Sequence, residues 1–131
     1  MFDTVVIATD GSASVQRAVE TALTLAADFD ASVRAVSVVA PDAEGGRERA
    51  ETALDALAAL ADREVATAVR EGDPASEICA HAREHGADLI AMGTRGRGGD
   101  SFHLGSVAER VVERAEPPVL TVRQLSGMAS A

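Results

Sequence analysis

Five short apolar segments, four of them followed by residues at helical spacing, predict a single α/β domain: a parallel sheet between two helical layers. A glycine-dense stretch after the fourth apolar segment, with helix-start residues directly behind it, points the same way. A glycine-rich turn between a strand and a helix N-terminus exposes backbone N–H groups. The helix dipole adds positive potential there, which suits phosphate.

The elements follow in order. Residues 3–9 form an apolar strand closed by Asp10 and Gly11. With Ser12 or Ser14 as N-cap, apolar residues recur at Val15, Ala18, Val19, Ala22, Leu23, Ala26 and Phe29, which is helical spacing. Residues 32–39 are rich in β-branched side chains and stop before Pro41, giving a second strand. After a polar loop at 42–46, residues 47–61 are rich in Ala, Leu and Glu and form a second helix. Residues 65–69 make a weaker third strand. Asp73 caps a third helix with Pro74 at its first position, and Gly86 ends it just past His85. Residues 87–92 are the fourth strand. A fourth helix spans 106–115 and opens with a capping box: Ser106 accepts from the Glu109 N–H while Glu109 reaches back. Pro117 and Pro118 stop it, and 119–122 form the fifth strand. The domain occupies 1–123, and the small polar residues 124–131 are a flexible tail.

In open parallel sheets, ligands bind beyond the carboxyl ends of the strands, where the strand order reverses. If the order is 3-2-1-4-5, the first and fourth strands are neighbours there. Asp10 and Gly11 then face the loop at 93–106.

Composition narrows the function. The chain has 131 residues and a formal charge of -9, with 21 acidic against 12 basic residues. Every basic residue is arginine, since the sequence contains no lysine. An acidic balance opposes sequence-independent binding to nucleic acid or to anionic membrane. Without lysine, a Walker-type phosphate loop and a phosphoacceptor receiver domain are both excluded. No apolar run approaches the ~20 residues of a membrane span, no basic leader or cleavage pattern is visible, and one cysteine cannot make an internal disulfide. A cytoplasmic protein is expected. The excess of carboxylate over lysine fits either a GC-rich genome or a salt-accumulating cytoplasm, as in a halophilic archaeon.

Five segments, taken together and in order, resemble the universal stress protein family. They are Val6-Ile-Ala-Thr-Asp-Gly-Ser12, Val69-Arg-Glu-Gly-Asp-Pro74, His85-Gly-Ala-Asp-Leu-Ile-Ala-Met-Gly-Thr94, Gly105-Ser-Val-Ala-Glu-Arg-Val-Val112 and Pro118-Val-Leu-Thr-Val122. The resemblance covers residues 5–122. It implies a three-layer α/β/α fold of Rossmann-like, adenine nucleotide α hydrolase-like type, with four helices and a five-stranded parallel sheet of order 3-2-1-4-5. It also implies a homodimer joined through the last strand, Val119 to Val122. An apolar edge strand agrees with that, because unpaired edges invite a second chain. The alternative is that the tail after Arg123 covers the edge.

The family divides into members that hold ATP and members that do not, and binders resemble the pattern Gly-x2-Gly-x9-Gly-Ser/Thr. Here Gly93 and Gly96 supply the first half and Gly105-Ser106 the last, but eight residues, 97–104, separate Gly96 from Gly105. The shortened loop either shifts the Gly105 and Ser106 N–H groups or, through Gly98 and Gly99, takes a shorter path between unchanged ends. Ala8 stands where binding relatives often carry proline. The resemblance implies a nucleotide site of Ala8, Thr9, Asp10, Val38, Met92, Gly93, Arg95, Gly96, Gly105, Ser106 and Val107. Its ligand is ATP, or AMP or ADP, and Asp10 meets either the nucleoside or a Mg²⁺ ion on the phosphates.

Each of these residues also has a plainer use. Asp10 and Ser106 suit helix starts, Val38 and Met92 suit a core, and Arg95 and Arg97 suit a solvated loop. Cys79 reads as a buried structural thiol. His81 and His85 have metal-compatible spacing but no third ligand, and read as surface residues. His103 lies inside the loop. No catalytic triad, paired carboxylates or general base is recognisable. The expected role is a stress-response sensor or regulatory module, with at most slow ATP hydrolysis. The alternative is a member without nucleotide that acts through dimerisation and a regulatory protein partner. Unfolding in 0 to molar KCl tests the halophile reading: stability should rise with salt, and equal stability without salt overturns it.

Overall fold

The computed structural model describes residues 2–94 and 105–124. Arg95, Arg97, Gly96 and His103 lie outside the described residues. Strands β1 (Thr4–Ala8), β2 (Ser32–Val39), β3 (Val65–Glu71), β4 (Leu89–Gly93) and β5 (Val119–Val122) form one parallel sheet in the order β3-β2-β1-β4-β5. Helices α1 (Gln16–Phe29) and α2 (Gly46–Leu60) cover one face. Helices α3 (Pro74–Glu84) and α4 (Ser106–Arg114) cover the other. The expected fold class and strand order are therefore present.

The central strand reads as an unbroken apolar run because both its faces are covered. Val5 and Ile7 pack with Val19, Ala22, Leu54 and Leu57 on the α1–α2 side. Val6 packs with Ile78, Ala82 and Val111 on the α3–α4 side. Register sets the height of everything above: Ile7 lies level with Ala35 on β2 and Ala91 on β4. Among the described residues, no helix is long and apolar enough to cross a membrane.

Three local expectations need correction. The third strand is not short: it pairs with β2 from Val65 to Glu71. Its pattern reads as weak because it is an edge, with Ala66 and Thr67 exposed. Neither Ser12 nor Ser14 caps α1. Residues Ala13–Val15 form a 3₁₀ turn whose N-cap, Ser12, makes no side-chain cap bond, and α1 starts after it at Gln16. Gln124 takes over part of the capping: its Oε1 accepts the Arg17 N–H at 3.0 Å, while Arg17 Nη1 donates to the Arg123 carbonyl at 2.8 Å.

The third correction concerns His81, which is 3% exposed and not a surface residue. It shares the inner stripe of α3 with Ala75, Ile78 and Ala82. Its Nδ1 lies 3.4 Å from Arg70 Nη1, and its ring meets that of His85 at 4.5 Å. Arg70 in turn donates to Glu77 at 2.8 Å and to both oxygens of Glu84 at 3.0 and 3.2 Å. Burial, helped by the positive potential of His85, Arg70 and Arg34 and opposed by Glu84, pushes the His81 imidazole down to about 4. Between the ordinary histidine value and that one, the unfolded chain binds a proton that the folded chain does not. Stability should therefore fall as pH drops through this window. The loss at this position amounts to about 3 kcal/mol. Denaturant unfolding of wild type and His81→Leu between pH 7 and 4 checks it. The stability difference between the two should shift against wild type as pH falls, and a constant difference overturns the buried neutral assignment.

Candidate functional site

The turn after β1 builds one wall of the crevice at the carboxyl ends of the strands. Thr9 is buried, and its N–H extends the ladder by donating to the Val36 carbonyl at 3.0 Å. Its hydroxyl accepts the Gly11 N–H at 3.1 Å, and Asp10 Oδ1 accepts the Ser12 N–H at 2.9 Å. Both side chains thus fold the turn onto itself, as short polar residues do. Gly11 has φ +77°, and a Cβ there would sit 2.8 Å from Ala53 Cβ, so α2 presses on the turn and admits no side chain.

The opposite wall comes from β4 and α4. The Thr94 N–H donates to the Val122 carbonyl at 3.3 Å, and the Gly105 N–H donates to the Thr94 carbonyl at 2.6 Å. Thr94 and Gly105, the residues that flank 95–104, therefore meet, and the start of α4 lies beside the end of β4. The same bond engages the Gly105 N–H. The first helical hydrogen bond in α4 runs from the Glu109 N–H to the Gly105 carbonyl at 2.9 Å. Ser106, Val107 and Ala108 thus have N–H groups without an intrahelical partner, at the positive end of the helix dipole.

The capping box expected at Ser106 is absent. Gly105 is the N-cap, in extended conformation, and no side chain caps the helix. Ser106 is the first helical residue and exposed. The Thr94 carbonyl holds the Gly105 N–H, and the helix starts directly behind Gly105.

Between the two walls lies an apolar floor. Ala8 and Met92 belong to the cluster on the α3–α4 side, with Val38 and Val107 packed against it half-buried. Four of the sequence-predicted site residues, from β1, β2, β4 and α4, thus converge on one surface. Gly93 is buried at the end of β4. A separate groove of about 430 Å³ lies behind the β1 turn, between α1 and α2. It shares Thr9, Asp10, Gly11 and Ser12 with the crevice, but its other lining residues, Val15, Val19, Ala53 and Leu57 among them, lie on the opposite face from Met92.

Two groups near the site were not apparent as partners from sequence. Asp73 caps α3 as expected, with Oδ2 accepting the Ser76 N–H at 3.1 Å. It also receives both terminal nitrogens of Arg110, at 3.0 and 2.8 Å. That fork, with the backbone bond, holds the Asp73 carboxyl down at about 2. The available signal was the spacing of Ser106, Arg110 and Arg114, which puts them on one face of α4. Cys79 is half-buried, and burial raises its thiol. Among the described residues, no group of three His, Cys, Asp or Glu side chains is placed to hold a metal.

Known proteins place this geometry in a family. A sequence profile described as the universal stress protein family matches residues 1–123. A universal stress protein of Methanocaldococcus jannaschii is 37% identical across 95% of this chain and 84% of its own length. A crystal structure of a universal stress protein in complex with cAMP superposes with a TM-score of 0.76 at 30% identity, covering 93% of this chain and 97% of that one. The universal stress protein UspA of Lactobacillus plantarum superposes with a TM-score of 0.81 at 25% identity, over 93% of this chain and 98% of the other. The chain belongs to the universal stress protein family.

Proposed function

We propose that the protein binds an adenine nucleotide, ATP in the first instance, across the carboxyl ends of β1 and β4, and acts as a sensor or regulatory module. The carrying observation is the bond from Gly105 to Thr94, which keeps the N-terminus of α4 at the crevice despite the shortened loop. The base would lie on Ala8, Val38 and Met92. The phosphates would meet the Ser106 and Val107 N–H groups and the exposed Ser106 hydroxyl, with Gly93, Arg95 and Gly96 completing the loop side. The cAMP held by a relative supports a nucleotide of this class. No cluster of metal-ligating side chains is at hand among the described residues. Mg²⁺ would therefore come with the phosphates and meet the protein through Asp10. Slow turnover at most is the expectation, since among the described residues no nucleophile–base pair is recognised at the crevice.

The second reading, a member without nucleotide that works through dimerisation and protein contacts, draws on the engagement of the Gly105 N–H by Thr94 and on Ala8 in place of proline. Calorimetry with ATP, ADP and AMP, with and without Mg²⁺ in high KCl, separates the two. Binding is expected, and Gly105→Val should abolish it by placing a side chain at the helix start. No heat at millimolar nucleotide promotes the second reading.

The assembly proposed is a homodimer through β5. The Pro118 carbonyl accepts from Ile90 on β4 and the Val122 carbonyl from Thr94 just past it, so the Val119 and Thr121 main-chain groups point away from β4, to the edge that no other described strand pairs. Proline is tolerated where an edge N–H faces outward. Thr121→Pro should therefore give a folded monomer by sedimentation; an unchanged dimer would place the interface elsewhere.

A further inference from the structure

The two sides of the crevice are also joined around the outside of the sheet. Val38 lies on the base side, and the carbonyl of the next residue, Val39, accepts the Gly72 N–H at 3.1 Å. Gly72 sits at φ +139°, a conformation that L side chains rarely adopt, and a Cβ there would lie 3.1 Å from Glu77 Oε2. Asp73 follows, and its carboxylate carries the Ser76 N–H and the whole end of the Arg110 guanidinium. Arg110 stands one turn beyond Ser106 on the same face of α4. One turn further, Arg114 Nη1 donates to Ser76 Oγ at 3.4 Å. The path runs from the base side through β2, the α3 corner and Arg110 to the phosphate side.

Helix α4 needs such an anchor. It has nine residues and only Ala108 and Val111 fully buried. These two side chains, with Val107 half-buried beside them, hold the helix against the sheet but resist sliding along its axis weakly. A bidentate guanidinium–carboxylate pair fixes both distance and direction.

We propose that Asp73 and Arg110 form a strut that sets the spacing between the base side and the phosphate side of the crevice, so that it governs affinity for phosphate-bearing ligands but not for the nucleoside alone. This rests on the nucleotide reading above. Asp73 and Arg110 are positioning residues: they act through α4 and need touch no ligand. The pair is 41% and 37% exposed, so its effect is modest.

Asp73→Asn keeps the helix cap and loses the charged acceptor; Arg110→Lys keeps the charge and loses the fork. Calorimetry of the full chain with ATP and with adenosine, alongside thermal midpoints, reads the strut. Each variant should lower ATP affinity about fivefold and move adenosine affinity by less than about twofold. The double variant should be no worse than either single one. Equal losses for both ligands, or unchanged ATP affinity, overturn the strut. Should wild type bind neither ligand, the nucleotide reading fails. The strut is then judged, as it is when adenosine alone fails to bind, by ligand-free hydrogen exchange at Glu109, Arg110 and Val111. Faster exchange in both variants supports it, and unchanged exchange overturns it.

Discussion

The parallel pairing of β1 with β4 is the constraint on which the rest depends. From the end of β1 the chain leaves for α1 on one face; from the end of β4 it leaves for α4 on the other. The two departures diverge, and a gap opens over two neighbouring strand ends. Val5, Val6 and Ile7 maintain that pairing because they are buried on both sides at once. A polar residue in any of the three would remove packing from one helical layer and leave the register unsupported.

How far the sequence discloses this depends on the range of each interaction. The strands and the two-layer burial are legible because they follow from period and run length alone. Asp73 is legible as a cap because its bond to Ser76 spans three residues. Its bond to Arg110 spans 37, and no local pattern reports it. Ser106 is misread for a related reason. Its box has the right letters, but the cap position is decided by where Thr94 holds the incoming chain. His81 differs again: its place on the stripe of Ala75, Ile78 and Ala82 is in the spacing, but a His pair with no third ligand reads as surface. The apolar floor of Ala8, Val38, Met92 and Val107 is legible position by position. Its convergence required the strand order.

The absence of lysine shapes how the chain holds itself together. Every fixed cation is a guanidinium, and several act as multi-point connectors. Arg70 spans Glu77 and Glu84, Arg63 reaches both Asp30 and the Ala31 carbonyl, and Arg17 ties α1 to the carbonyl of Arg123. A planar fork orders more than one partner for one restrained side chain, which an ammonium does less well. In a chain of net charge -9, these bonds place cations where carboxylates already cap or flank helices.

The bond between Gly105 and Thr94 ties the end of β4 directly to the start of α4. Loop-closure entropy changes slowly with length, by about 0.6 kcal/mol per doubling, so adding or removing one residue there costs far less than that. A one-residue change between them therefore perturbs the frame little: strand end and helix start keep their register, and the fold need not be solved a second time.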